Sequence, residues 1–194
     1  MLIPEHVLPT FVKKPKISVI APAGNLADRK RYFDGCAILE DLGFTIVDKE
    51  KSWQGFGYLA DTDQARLEEF HKAWSNPEID IVFSLRGGYG SLRIFEQIDL
   101  DIVRKNPKIF IGYSDISILL NHLAIKTGLV CFHGPVITSL PTSCRDTIDR
   151  LYYCLTGSWN NELKENIEII RSGSPAKGKL LGGNLSSLVT MIGT

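Results

Sequence analysis

The sequence has few cysteines and none of the cysteine spacings that build a metal site or a disulfide framework. Its four cysteines, Cys36, Cys131, Cys144 and Cys154, form no C-x-x-C pair and have no histidine at ligand spacing. We therefore predict reduced thiols, no bound metal and no other cofactor.

Excess charge of one sign and long apolar runs are also absent. The 22 basic residues balance the 22 acidic residues, and no dense lysine or arginine block is present, which argues against binding to nucleic acid or to an anionic membrane. No apolar stretch approaches the ~18 residues that a membrane helix needs, and "MLIPEHVLPTFVKKPK" does not have the pattern of a signal peptide. We expect a soluble cytoplasmic protein whose partner is a small molecule.

The sequence does contain a regular alternation of short β-rich apolar runs and longer amphipathic stretches. Helical spacing covers residues 26–43, 62–77, 115–128 and 143–157, and the runs between them read as strands. The predicted strands are residues 16–22, 44–48, 79–85, 108–113 and 129–134. This order predicts an α/β fold, a flavodoxin-like, doubly wound parallel sheet covered by helices on both faces.

The character of the sequence changes near residue 158. The stretch "SWNNELKENIEIIRSGSPAKGKLLGGNLSSLVTMIGT" combines polar, glycine-rich and serine-rich breaks with short apolar pieces. We therefore predict an N-terminal domain over residues 1–158, followed over residues 159–194 by a linker and the incomplete beginning of a second domain.

Loops that follow the predicted strands are the first places to look for a ligand, because ligands of such sheets bind at the carboxyl ends of the strands. The loop "APAGN" (21–25) is compatible with close approach of a ligand or with an ordinary turn. In "LRGGYG" (85–90), adjacent glycines allow backbone N–H groups to converge on an oxyanion, although a tight turn is the simpler alternative.

Ser114 lies between the predicted strand "KIFIGY" and a helical stretch that starts at Asp115. A serine on such a turn has the geometry of a nucleophile elbow, with the helix N-terminus available to an anionic intermediate. The pattern G-x-S-x-I lacks the second glycine of the hydrolase elbow, however, and serine before a helix is also a routine N-cap. From spacing alone both interpretations stay open.

Four stretches in order resemble the L,D-carboxypeptidase family of serine peptidases, which includes the microcin C self-immunity peptidases. They are "GYLADTDQARLEEFHKAWSNPEIDIVFSLRGGYG" (57–90), "IGYSDISILL" (111–120), "FHGPV" (132–136) and "GKLLGGNLSSL" (178–188). The resemblance implies metal-free hydrolysis, by a Ser-Glu-His triad, of the amide before a terminal D-residue in murein peptides, as in peptidoglycan recycling. It also implies that Ser114 is the nucleophile and that the N–H groups of Gly88 and Asp115 form the oxyanion hole.

The same resemblance places the catalytic glutamate and histidine in a C-terminal domain after "LLGGNLSSL". His6, in the N-terminal tail, and His71 and His122, within helices, are not credible general bases for Ser114. His133 ends a strand at the same sheet edge, where it either lines the site or has a structural role. We expect the general base to lie beyond Thr194 and this chain alone to be inactive.

Six residues are candidates for substrate binding, each with a structural alternative. Arg86 is suited to the terminal carboxylate of a peptide or to an ion pair with a neighbouring acid. The other five are Gly87, Tyr89, Tyr113, His133 and Asn184. For the tyrosines the alternative is core packing, and for Asn184 it is a helix cap.

The expected substrate is a small peptide, a murein tetrapeptide or a related compound, and a homodimer is a further expectation. Self-immunity to a microcin C-type antibiotic is the closest alternative function. A noncatalytic flavodoxin-like module that binds a flavin or a nucleotide is the second, although "APAGN" and "RGGYG" lack the usual phosphate-binding spacings.

Overall fold

The computed structural model describes residues 14–157, 168, 170–171 and 173–193. His6 and the predicted domain boundary at residue 158 lie outside these ranges.

Helices and strands alternate along the described chain. The elements are β1 (Lys16–Ile20), α1 (Arg29–Asp41), β2 (Thr45–Val47), α2 (Asp63–Ser75), β3 (Ile81–Ser84), α3 (Ser91–Ile94), α4 (Leu100–Lys105), β4 (Ile109–Gly112), α5 (Ser117–Thr127), β5 (Phe132–His133), α6 (Arg145–Leu155) and α7 (Leu185–Val189). Short 3-10 helices cover Phe95–Gln97, Ser114–Ile116 and Ile137–Thr142.

The five strands form one parallel sheet in the order β2-β1-β3-β4-β5. This is the flavodoxin-like strand order, and it confirms the predicted α/β class. Strand β5 is shorter than the predicted 129–134, because only Phe132 and His133 pair with β4, opposite Ile111 and Gly112. Pro135 follows two residues later and has no N–H with which to extend the ladder.

Each face of the sheet carries its own apolar core, since successive side chains of a strand point to opposite faces. Ile81 and Phe83 pack in one cluster, with residues of α1 and α6. Val82 packs in the other cluster, with residues of α2 and α5. Both faces of the central strands are covered, which is why these strands read as nearly continuous hydrophobic runs.

Local capping explains where the covering helices begin and end. The side chains of Asp28, Thr62 and Asp99 accept hydrogen bonds from backbone N–H groups in the first turns of α1, α2 and α4. Helix α5 ends at Gly128, whose φ of 77° is in the left-handed region.

None of the helices in the described ranges is long and apolar enough to cross a membrane. The four cysteines are free thiols.

Helix α1 packs very closely on the segment Ile137–Thr142 through Gly35. A Cβ atom at Gly35 would lie 2.3 Å from the carbonyl oxygen of Ile137 and 2.9 Å from its Cγ2. The glycine is therefore needed for the approach of these two elements, although alanine has the higher helix propensity.

We predict that Gly35→Ala lowers the free energy of unfolding by about 1 to 3 kcal/mol, because the added methyl group overpacks this contact. Gly178→Ala is the control, since no atom of the described residues lies within 4 Å of the position of its Cβ, and its effect should stay within about 0.5 kcal/mol. Urea unfolding of both variants measures the difference. Equal stability of Gly35→Ala and the wild type would contradict the packing argument.

Candidate active site

The candidate site lies at the carboxyl edge of the sheet, at the point where the order in which successive strands are added changes direction. Strand β1 leads to β2 on one side and β3 leads to β4 on the other, so the loops after β1 and β3 flank a crevice at this switch point. The two loops are joined, since the N–H of Gly24 donates to the carbonyl oxygen of Gly87 at 3.1 Å. Both glycine-containing loops of the sequence analysis therefore meet here.

Ser114 follows β4 at the same edge, in a conformation that is unusual for serine. Its φ is +62°, in the left-handed region, which costs a residue with a Cβ about 1 to 2 kcal/mol. Residues Ser114–Ile116 form a short 3-10 helix, and α5 starts only at Ser117 with Ile116 in the cap position. Ser114 is thus a strained residue on a strand-to-helix turn, and the cap of α5 is another residue.

The glycine loop after β3 packs directly on this serine. A Cβ atom at Gly87 would lie 2.8 Å from the Cβ of Ser114 and 3.1 Å from its Oγ. Gly88 has a φ of +121°, which residues with a side chain rarely adopt. The two adjacent glycines are therefore explained, Gly87 by its steric contact with Ser114 and Gly88 by its backbone conformation.

A cleft of about 520 Å³ opens beside Ser114. Five of the candidate residues line it: Arg86, Gly87, Gly88, Tyr113 and Ser114. The remaining wall was not foreseen from the sequence: Leu26, Ala27, Asp28, Arg31, Val136, Thr138, Ser139 and Thr142. These residues follow β1 and β5, so the rule that loops after strands meet at one edge could have indicated them.

Asp115 is adjacent to Ser114, but its carboxylate points into the protein. The residue is buried, and its Oδ2 accepts a hydrogen bond from the N–H of Ser91 at 2.9 Å. Burial raises the pKa of this carboxyl above its usual range, although the bond from Ser91 acts in the opposite direction. The carboxylate thus binds the first residue of α3, and the Asp115 backbone remains the candidate for the oxyanion hole.

Arg86 stands between the cleft and a second pocket. Its Nη1 donates a hydrogen bond to the carbonyl oxygen of Asn25 at 2.7 Å. This partner is a backbone group, whereas the ion-pair alternative predicted a neighbouring Asp or Glu. The second pocket, of about 440 Å³, is lined by Gly24, Asn25, Ala27, Gly57, Tyr58, Arg86, Gly88 and Tyr89. The rings of Tyr58 and Tyr89 contact each other edge to face with centroids 5.5 Å apart.

The histidines of the described chain lie in three different surroundings. The Nε2 of His71 accepts a hydrogen bond from the N–H of Asp99, and burial lowers the pKa of this ring. His122 is buried beside Phe95. His133 is exposed at the end of β5, with its ring centroid 6.5 Å from that of Tyr113.

Asn184 lies in a segment that docks on helix α5. Its side chain accepts from the N–H of Ser187 and caps α7, while its own N–H donates to the Oγ of Ser117 at 3.0 Å. The amide of Asn121 bonds both the N–H and the carbonyl oxygen of Gly182. The Gly-Gly-Asn segment is therefore fixed next to the helix that follows Ser114, and its role in substrate binding stays a prediction.

Within the described ranges, no three His, Cys, Asp or Glu side chains are grouped as a metal site would require.

The chain is similar to known proteins over most of its length. Residues 17–134 match the LD-carboxypeptidase N-terminal domain of Peptidase_S66. The chain is 34% identical over 188 residues to a probable murein peptide carboxypeptidase of Bacillus subtilis, covering 94% of this chain and 58% of that protein. It is 29% identical over 205 residues to the microcin C7 self-immunity protein MccF of Escherichia coli, covering 90% and 59%.

The muramoyltetrapeptide carboxypeptidase from Oxalobacter formigenes has a similar structure, with a TM-score of 0.72 at 27% identity over 92% of this chain and 60% of that one. The chain thus spans less than two thirds of the length of each of these three proteins. The match of residues 17–134, together with the B. subtilis relative, shows that the chain belongs to the Peptidase_S66 family of LD-carboxypeptidases.

Proposed function

We propose that this chain carries the nucleophile of a serine carboxypeptidase that releases a terminal D-amino acid from murein peptides in the cytoplasm. The observation that carries the proposal is Ser114, strained at φ +62° on a strand-to-helix turn and lining one cleft with Gly88. The names of the B. subtilis and O. formigenes relatives support a murein peptide as the substrate.

In the proposed reaction, the Oγ of Ser114 attacks the carbonyl carbon of the scissile amide while a general base takes its proton. The negative charge that develops on the carbonyl oxygen is stabilised by the N–H groups of Gly88 and Asp115. The C–N bond then breaks, the protonated base gives its proton to the departing amine, and the D-amino acid leaves. Water hydrolyses the remaining ester and regenerates Ser114.

We propose that the general base is a glutamate-oriented histidine of the C-terminal domain that the family resemblance implies, since this chain spans 58% of the length of the B. subtilis relative. Two of the described histidines, His71 and His122, are held away from the cleft by their packing. His133 pairs with Gly112, two residues before Ser114, and is therefore the first alternative within this chain.

Arg86 is proposed to bind the terminal carboxylate of the substrate. The carbonyl oxygen of Asn25 is a neutral acceptor, so its hydrogen bond with Arg86 does not neutralise the guanidinium charge. Arg86 also lines both pockets. A guanidinium can bind a carboxylate through two parallel hydrogen bonds, which gives both affinity and orientation.

Cleavage of a microcin C-type antibiotic is a second candidate, because the MccF relative is 29% identical and the Tyr58–Tyr89 pair offers aromatic surface beside Arg86. A flat nucleobase would stack on such rings. Turnover of a murein tetrapeptide and of a peptidyl nucleotide, measured side by side, separates the two candidates.

We predict that Ser114→Ala lowers kcat by about 10⁴-fold or more in a protein that extends through the triad, since other triads lose this much without their serine. The 194-residue chain should hydrolyse a murein tetrapeptide no faster than its own Ser114→Ala variant. If this chain turns over the peptide and Ser114→Ala abolishes the turnover, the general base lies within the 194 residues. His133→Ala would then be the next variant to measure.

The strained backbone of Ser114 generates a stability prediction for this chain alone. Ser114→Gly should raise the free energy of unfolding by about 0.5 to 1 kcal/mol, because glycine adopts φ +62° without a Cβ penalty. Ser114→Ala keeps the Cβ and should show no such gain.

Asp48→Gly is the matched control for that measurement, since Asp48 has a φ of 54° outside the site. It should be stabilised to a similar extent. A Ser114→Gly variant that is less stable than Ser114→Ala in thermal unfolding would show that the turn is not strained.

We predict that Arg86→Met lowers kcat/KM for a peptide with a free terminal carboxylate by about 10- to 150-fold. This factor corresponds to the ~1.5 to 3 kcal/mol that a hydrogen bond to a charged group contributes. The same peptide with an amidated terminus should react equally slowly with the wild type and with Arg86→Met. If Arg86→Met slows both peptides by the same factor, Arg86 does not recognise the carboxylate.

A further inference from the structure

The peptide group that joins Gly90 to Ser91 is held at both ends by buried charged side chains. Its carbonyl oxygen accepts a hydrogen bond from the Nη1 of Arg66 at 3.0 Å. Its N–H donates to the Oδ2 of Asp115 at 2.9 Å. Arg66 is 1% exposed and Asp115 is 5% exposed, so neither charge is solvated by bulk water.

Buried charges are costly, and hydrogen bonds to fixed partners offset part of that cost. Arg66 also donates to the carbonyl oxygen of Pro22 in the loop after β1, and it pairs with Asp63. Gly90 leaves the space for this arrangement, because a Cβ at its position would lie 2.8 Å from the Nη1 of Arg66.

These contacts join the three pieces of backbone that form the candidate site. Arg66 binds the loop after β1 at Pro22 and the loop after β3 at Gly90. Asp115 connects that second loop to the turn of Ser114. Gly88 lies two residues before the peptide held by both side chains, so its N–H direction depends on where that peptide is fixed.

We propose that Arg66 and Asp115 are positioning residues that clamp the Gly90–Ser91 peptide and thereby hold the N–H of Gly88 in place beside Ser114. The catalytic consequence rests on the proposed function, whereas the clamp itself is a property of the chain that is measurable without turnover.

The clamp is tested by amide hydrogen exchange on the 194-residue chain. Asp115→Leu removes the acceptor and should accelerate exchange at Ser91 and at Gly24, which is bonded to Gly87, by tenfold or more. Asp115→Asn keeps an acceptor oxygen and should stay within about threefold of the wild type at both amides, since a neutral hydrogen bond preserves most of the constraint.

A reference amide and a control variant accompany this measurement. The N–H of Leu85, which bonds Ile20 inside the sheet, should keep its wild-type exchange rate in both variants. Asp101→Leu, at an exposed ion pair with Arg104, is the control for loss of a carboxylate. Unchanged exchange at Ser91 in Asp115→Leu, or equal acceleration at Ser91 and Leu85, would overturn the clamp. If Asp115→Leu does not fold, Arg66→Lys and Arg66→Met provide the same comparison at Gly24.

In a protein that extends through the triad, Asp115→Leu should lower kcat by about 10²- to 10³-fold, as loss of an oxyanion donor does, with KM within about threefold. Arg66→Lys should recover part of the activity that Arg66→Met loses. A raised KM with unchanged kcat would contradict a positioning role. If the wild type and Ser114→Ala hydrolyse the peptide equally slowly, the proposed function is wrong. The amide exchange rates still test whether Arg66 and Asp115 hold the Gly90–Ser91 peptide.

Discussion

The close contact between Gly87 and Ser114 is the steric constraint on which the site depends. Two backbone segments, one after β3 and one after β4, approach until a single Cβ at Gly87 would collide with the serine. Such an approach is stable only if both strands are firmly placed, and both are buried within a parallel sheet. The sheet therefore supplies the rigidity, and the loops at its carboxyl edge supply the chemistry.

The strained conformation of Ser114 is stabilised by the packing around it. Ile116, two residues later, is fully buried in the apolar cluster that contains α2 and α5, and the carboxylate of Asp115 is hydrogen-bonded to α3, so packing and a hydrogen bond both hold the turn. A left-handed serine is a conformation that surrounding structure must impose, and such residues cluster at functional sites. The position of Ser114 beside an open cleft fits that general observation.

Sequence reasoning found what depends on local pattern and missed what depends on distant contacts. The strands and the doubly wound α/β class were predicted from hydrophobic runs such as "IDIVFSL" and from their alternation with helical stretches, and Ser114 and the glycine loop were singled out by their places at strand ends. The wall formed by Thr138 and Ser139 and the bond from Arg66 to Gly90 join residues far apart in the chain. The strand-end rule could have indicated the wall residues as a group, whereas no spacing rule connects Arg66 with Gly90, because only the folded chain brings them together.

In residues 178–193, too, the contacts with distant parts of the chain were not predicted from the sequence. Asn121 and Ser117 fix the Gly-Gly-Asn segment on α5, which the motif "GGNLSSL" alone did not indicate. Leu180 is 98% exposed and Ile192 is 80% exposed, as expected for apolar residues that are not covered by the described part of the chain. The prediction that these residues begin a second domain stays a prediction.

The central claim is that Ser114 is the nucleophile, and covalent trapping tests it most directly. A protein that extends through the triad is treated with a fluorophosphonate, which reacts with activated serines, and the modified residue is located by peptide mass spectrometry. We predict one adduct, on the peptide that contains Ser114, and none in Ser114→Ala. An adduct on another residue, or an unmodified Ser114 in a protein whose turnover the reagent abolishes, would contradict the assignment.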